Sequence, residues 1–166
     1  MLTRQILSII ALPITALVIV PIILVLGFNY VLFWGPEFKI AIVIMTIGLC
    51  FIGSGSVLLY STISCFTSKG EGTIAPWAST KKLITTGAYA HVRNPMIGGA
   101  FLILIGESIL IGSLPLTIYT TVFIIINLLY IPLIEEPKLT EKFGREYMKY
   151  KQKVPRWIPH IKKETI

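Results

Sequence analysis

The side chains able to do chemistry in this chain are few, and they gather in three places. The first is the stretch Gly87-Ala88-Tyr89-Ala90-His91-Val92-Arg93-Asn94-Pro95. Arg93, one residue short of a proline that can open a helix, suits bidentate binding of a carboxylate or phosphate; it equally suits anchorage to lipid headgroups. The second is the adjacent pair Glu135-Glu136. Neighbouring carboxylates on a helix point about 100° apart, so at most one faces inward easily. At the C-terminal end of a helix they also oppose its dipole. Acids in a setting that disfavours them imply a cation, either a ligand or an ion pair with Arg93. The third is Glu107, inside an apolar run. An ionised side chain near the middle of a bilayer costs about 2.5–3.5 kcal/mol, so Glu107 is neutral, paired or facing a cavity. Its roles are a bridge between helices or a contribution to a substrate pocket. The expected hairpin turn is about six residues, or roughly 9 Å, further on, which sets Glu107 in the outer half, away from the other two places.

Other chemistries find no support. His91 and His160 are the only histidines and are not spaced as metal ligands, so no metal is expected. There is no Ser-His-acid set, no P-loop and no strand-based GxGxxG, and Gly70-Glu71-Gly72 is too short to count. Cys50 and Cys65 sit in an apolar run without a CxxC pattern and read as small buried hydrophobes.

The elements that must position these groups follow from composition and charge. Of 166 residues, 54% are hydrophobic and 14% charged, with a net charge of +7 and no Asp. A basic balance fits nucleic acid or an anionic membrane surface. Long apolar runs decide for the bilayer and against nucleic acid. No charge occurs between Gln5 and Pro36. That run holds a first span, kinked by Pro13 and Pro21 and finished by Asn29, Tyr30 and Trp34. Arg4 ahead of an apolar stretch resembles a signal peptide, but no small-residue cleavage site follows, and a retained span is expected. A turn at Gly35-Pro36-Glu37-Phe38-Lys39 leads to a second run, Ile40 to Ser68. Its Gly53-Ser54-Gly55-Ser56 would let another helix approach closely. Residues 69–95 form a polar connector. From Met96 to Ile134 only Glu107 is charged, and Gly112-Ser113-Leu114-Pro115 is the hairpin turn between two short spans. Beyond it, Leu139, Phe143, Tyr147 and Tyr150 form one stripe of an amphipathic helix ended by Pro155 and Pro159. This helix either lies on an anionic leaflet or folds back as a lid.

The expected architecture is therefore all-α, a polytopic membrane protein with about four transmembrane helices and a cytoplasmic C-terminal amphipathic helix. Residues 1–166 make a single membrane domain: 1–68 the first two spans, 69–95 a cytoplasmic connector, 96–134 a helical hairpin, and 135–166 the lid helix and tail. With four spans, every Lys and Arg except Lys39 falls on one side. By the bias of basic loops, both termini are cytoplasmic.

With those residues in view, the chain resembles the isoprenylcysteine carboxyl methyltransferase and phospholipid methyltransferase family of membrane enzymes. One signature of that family, G-x-Y-x-x-x-R-[HN]-P-x-Y, stands here as Gly87, Tyr89, Arg93, Asn94 and Pro95, preceded by Lys82-Leu83-Ile84-Thr85-Thr86. The other, an acidic pair followed by L-x-x-x-F-G-x-E-Y-x-x-Y and V-P-x-x-x-P, stands as Glu135, Glu136, Leu139, Phe143, Gly144, Glu146, Tyr147, Tyr150, Val154, Pro155 and Pro159. The resemblance covers roughly residues 70–160. Two departures stand out. Ile97 occupies the usual Tyr position, and Tyr130-Ile131-Pro132-Leu133-Ile134 lacks the Arg that prenylcysteine-methylating members carry ahead of the acidic pair.

The resemblance implies S-adenosyl-L-methionine as methyl donor, held between the cytoplasmic ends of the last two spans and a C-terminal lid. It implies that Leu83, Ile84, Gly87, Tyr89, Asn94 and Pro95 line the cofactor site. Glu135 or Glu136 would meet the cofactor's ammonium or ribose, and Arg93 its carboxylate or an anionic substrate, so that Arg93 and Glu136 carry the catalytic roles. The acceptor would be lipophilic or a small thiol, carboxylate or amine. Two competing expectations are an NADPH-using membrane reductase of the sterol-reductase type and a non-enzymatic module binding anionic lipid.

Overall fold

The computed structural model describes residues 11, 13–28, 38–69 and 83–159. Asn29, Tyr30, Trp34, the turn at 35–37, residues 70–82 of the connector and His160 lie outside the described residues. Among those described, the regular structure is helical. Helix α1 covers Thr15–Phe28 and α2 covers Phe38–Lys69. A short 3-10 turn, Gly87–Ala90, precedes α3, Pro95–Ile111. Gly112 closes α3 in the left-handed conformation (φ 64°), and α4 begins two residues later and runs Leu114–Phe143. A last helix, α5, spans Arg145–Lys153.

Two of these helices, α2 through its stretch Ala41–Cys65 and α4, are long and apolar enough to cross a membrane; α1 and α3 are shorter apolar helices. In each of the two long helices only 11% of the apolar stretch is buried. Side chains such as Leu26, Val57 and Leu133 stand 69–73% exposed, which makes a lipid-facing surface and not the core of a water-soluble domain. The chain is an integral membrane protein.

Without a hydrophobic drive between helices in lipid, close backbone approach is what holds them together. Helices α2 and α3 make the most extensive pair among the described residues. They touch through two glycine pairs, each pair member seven residues from the next on its own helix. A Cβ on Gly55 would lie 2.6 Å from the Gly99 carbonyl, and one on Gly106 would lie 2.6 Å from the Gly48 carbonyl. The order of the pairs makes the crossing antiparallel. Gly53, by contrast, faces open space. Only one glycine of the Gly53-Ser54-Gly55-Ser56 stretch therefore serves the approach.

The two helices with an interior proline, α1 and α4, each carry a π turn. In α1 it covers Thr15–Ile19, where the Val20 N–H donates to the Thr15 carbonyl. Pro21 has no N–H to offer, so the Ala16 carbonyl loses its helical donor. The Tyr119 hydroxyl of α4 supplies one at 3.0 Å. This bond ties α1 to α4 beside a buried cluster of Leu17, Ala100, Ile103 and Leu104. In α4 the π turn covers Ile131–Glu135, with Pro132 inside and Pro137 just after. It widens the helix at the acidic pair, a location π turns favour.

The C-terminal segment differs from the single helix expected. Helix α4 does not stop where its apolar run ends but continues to Phe143, and Gly144 then breaks the path with φ 53° and ψ −125°. That backbone is open to glycine and strained for other residues. The stripe Leu139, Phe143, Tyr147 and Tyr150 is thus shared by two helices, yet it still packs as one cluster with Val154 and Leu83.

Gly55→Ala should lower the melting temperature in detergent, by a loss of about 1–3 kcal/mol from overpacking against backbone. Gly53→Ala should leave it unchanged. Gly144→Ala meets no atom within 4 Å, so its cost, about 1–3 kcal/mol of backbone strain, should appear as faster proteolysis of residues 145–159 while the α2–α3 pair stays intact.

Candidate functional site

The site is assembled where the start of α3, the last third of α4 and the C-terminal segment meet. Asn94 is the N-cap of α3 and Pro95 its first residue, buried below 2% exposure. Here the chain is tied to the C-terminal segment by backbone hydrogen bonds. The Arg93 N–H donates to the Pro155 carbonyl at 2.9 Å, and the Asn94 N–H to the Arg156 carbonyl at 3.3 Å. The Tyr150 hydroxyl donates to the Tyr89 carbonyl at 2.7 Å. Trp157 stacks on Phe101 of α3, with ring centroids 5.2 Å apart. Residues 150–157 therefore fold back over 89–101.

Glu136 lies at the centre, 3% exposed. Arg156 holds it with a fork, Nε to Oε1 at 2.6 Å and Nη2 to Oε2 at 3.1 Å. Arg93 Nη1 stands 2.9 Å from Oε1 and Lys151 Nζ 3.0 Å from Oε2. One carboxylate thus faces three cations, which fixes it as ionised and leaves two positive charges uncompensated in the cluster. Glu135, its half-buried neighbour, has no cation on it among the described residues. The two acids of the pair live in opposite surroundings.

Three buried donor atoms make no hydrogen bond among the described residues. The Arg93 side chain is 9% exposed, and neither its Nε nor its Nη1 has a hydrogen-bond partner there, although Nη1 is ion-paired with Glu136. Asn94 Nδ2 is buried without a partner as well, and the Asn94 side chain does not cap its own helix. Buried donors without acceptors are costly, of order 1–3 kcal/mol each, and rare in native proteins. Together with the surplus positive charge they specify an anion-accepting corner.

The remaining predicted residues surround this corner. Leu83 packs against Tyr147, Tyr150 and Val154. Ile84 is half-buried beside it in sequence. Gly87 takes φ 64°, a conformation that favours glycine, and a Cβ there would come 3.3 Å from Cys65 Sγ, a tight contact. Tyr89 is half-buried; burial first, then the Tyr150, Glu135 and Cys65 charges, pushes its phenol well above the ordinary range. Burial likewise raises Tyr150, with Tyr147 adding to it, and raises Tyr147, with Glu136 adding and Arg93 opposing. All three phenols stay neutral. Hydrogen bonding to Glu136 raises Arg156 further, against its partial burial, so its charge is permanent.

Glu107 stands apart, about 20 Å along α3 from Asn94 at 1.5 Å per residue. Its Oε2 is buried without a hydrogen-bond partner among the described residues. Cys50 is exposed and Cys65 partly buried, no disulfide joins them, and the Cys65 thiol donates to the Thr86 carbonyl at 3.5 Å. Lys151 and Arg156 were not singled out by sequence reasoning. Arg156 lies 20 residues from Glu136, with a chain reversal between them, and no helical spacing links the two.

Two comparisons bear on what this arrangement belongs to. The profile of a family described as phospholipid methyltransferase matches residues 43–146. The protein-S-isoprenylcysteine O-methyltransferase of Schizosaccharomyces pombe is 34% identical over 79 residues, covering 48% of this chain and 34% of that protein. The chain thus matches about a third of the length of that curated relative. With more than half of its residues inside the family profile, the chain belongs to the phospholipid methyltransferase family.

Proposed function

We propose that the chain is a membrane-embedded methyltransferase that uses S-adenosyl-L-methionine on a lipophilic or small thiol, carboxylate or amine acceptor. The observation that carries this reading is the pairing, beneath one folded-back segment, of an acid that has no cation on it with three buried donor atoms that make no hydrogen bond, both among the described residues. S-adenosyl-L-methionine presents a carboxylate, an ammonium and a sulfonium, so a site for it needs donors, an acid and an aromatic face close together. Arg93 Nε and Asn94 Nδ2 supply the donors. Glu135 supplies the acid, Tyr89 the aromatic face, and Leu83, Ile84 and Pro95 apolar walls, while Gly87 permits the turn that brings them round. The residues present fit the group.

When bound, the cofactor supplies an electrophilic methyl group. What the protein must do is hold both partners in line and exclude water, because a reaction that annihilates charge runs faster in a dry site. A site bordered by Leu133 and Ile134, 69% and 42% exposed to the lipid side, is suited to acceptors that arrive from the bilayer. The π turn Ile131–Glu135 stands where prenylcysteine-methylating members carry an Arg, and it offers Ile131, Pro132, Leu133 and Ile134 instead. We therefore place the acceptor outside the prenylcysteines.

In this reading α1, α2, α3 and α4 each cross the bilayer, and both termini lie in the cytoplasm with the site. The charge asymmetry supports it: among all Lys and Arg only Lys39 falls on the far side.

Isothermal titration with S-adenosylhomocysteine, in a detergent that keeps the protein monodisperse, tests the assignment. Saturable binding is expected, and Glu135→Gln should weaken it roughly tenfold to a hundredfold, the worth of one charge-assisted hydrogen bond. Absence of binding by the wild-type chain overturns the reading.

A further inference from the structure

Resting on the methyltransferase reading, we propose that Arg156 and Lys151 are positioning residues that keep Arg93 available for the carboxylate of the bound nucleoside by saturating Glu136. The argument concerns how one carboxylate is shared. A carboxylate offers about four acceptor sites, two on each oxygen. Arg156 takes one on each oxygen with its fork, and Lys151 takes a second on Oε2. What is left for Arg93 is a single position on Oε1; its Nη1 stands 2.9 Å away as an ion pair without making a hydrogen bond there. The Nε of Arg93 is therefore uncommitted although the side chain is nine-tenths buried.

Without the Arg156 fork, the Glu136 carboxylate would present both oxygens to Arg93. A guanidinium facing a free carboxylate closes on it in bidentate fashion. Arg93 would then be spent on Glu136 and its Nε withdrawn from the anion corner. Arg156 also acts through its backbone, because its carbonyl accepts the Asn94 N–H at 3.3 Å while Pro155 accepts that of Arg93 at 2.9 Å. One residue thus sets both donors: the charge state around Arg93 through its side chain, and the path of Asn94 through its carbonyl.

A role of this kind predicts loss of affinity for one part of the ligand only. The test compares S-adenosylhomocysteine, which carries the amino-acid moiety, with 5′-methylthioadenosine, which lacks it, by titration against the full-length protein in detergent. Arg156→Gln should weaken S-adenosylhomocysteine roughly tenfold or more, as truncating one member of a buried charge cluster does, and leave methylthioadenosine within about twofold. Arg156→Lys, a point charge without a fork, should not restore the loss. Lys151→Gln should act in the same direction and more weakly, since its side chain is 43% exposed. Equal affinity of wild type and Arg156→Gln for S-adenosylhomocysteine overturns the proposal, and so does an equal loss for both ligands, which would mean the tail merely unfolds. If the wild type binds neither ligand, the methyltransferase reading fails, and the positioning role that rests on it fails with it.

Discussion

A carboxylate 3% exposed and surrounded by three cations is the constraint on which the polar end of this molecule depends. Removing Glu136 from water costs several kcal/mol, and only well-placed partners recover it. Those partners come from two separate parts of the chain: Arg93 ahead of α3, and Lys151 and Arg156 from the C-terminal segment. Burying Glu136 therefore demands that the segment fold back, and the folded-back segment in turn orders residues 93 and 94 through its carbonyls. The ion cluster links the ends of α3 and α4 to the chain that covers them.

The helices reach that arrangement by controlled departures from regularity. A proline following each π turn removes one donor and shifts the register, which in α4 brings two adjacent acids into unlike surroundings: Glu136 inward to three cations, Glu135 half-buried with none among the described residues. Glycine does the converse work. At Gly48, Gly55, Gly99 and Gly106 it removes bulk so that two backbones can touch, and at Gly87 and Gly144 it allows turns that would strain a side chain. Together these place a polar corner at one end of an otherwise apolar bundle.

Much of this was legible in the residues themselves. The apolar runs located the helices because lipid imposes a length and forbids charge, and Gly112 ended α3 where turn chemistry required. Arg93 and Glu136 were visible as a possible ion pair, and they are one. Less could be read where the cause is long-range. The break at Gly144 was hidden because Leu139, Phe143, Tyr147 and Tyr150 keep helical spacing across it. Nothing local marks Arg156 as the principal partner of Glu136, since its side chain arrives by chain reversal. Among Gly53 and Gly55, only the packing against Gly99 tells which one carries the contact.

The central claim is that Arg93, Asn94 and Glu135 converge on one zwitterionic nucleoside beneath residues 150–157. Ultraviolet cross-linking of radiolabelled S-adenosylmethionine to the purified protein, followed by peptide mapping, tests it most directly. Saturable label confined to peptides from 83–94 and 135–157 is the predicted result. Label confined to the Glu107 end of α3, or labelling that does not saturate, contradicts it.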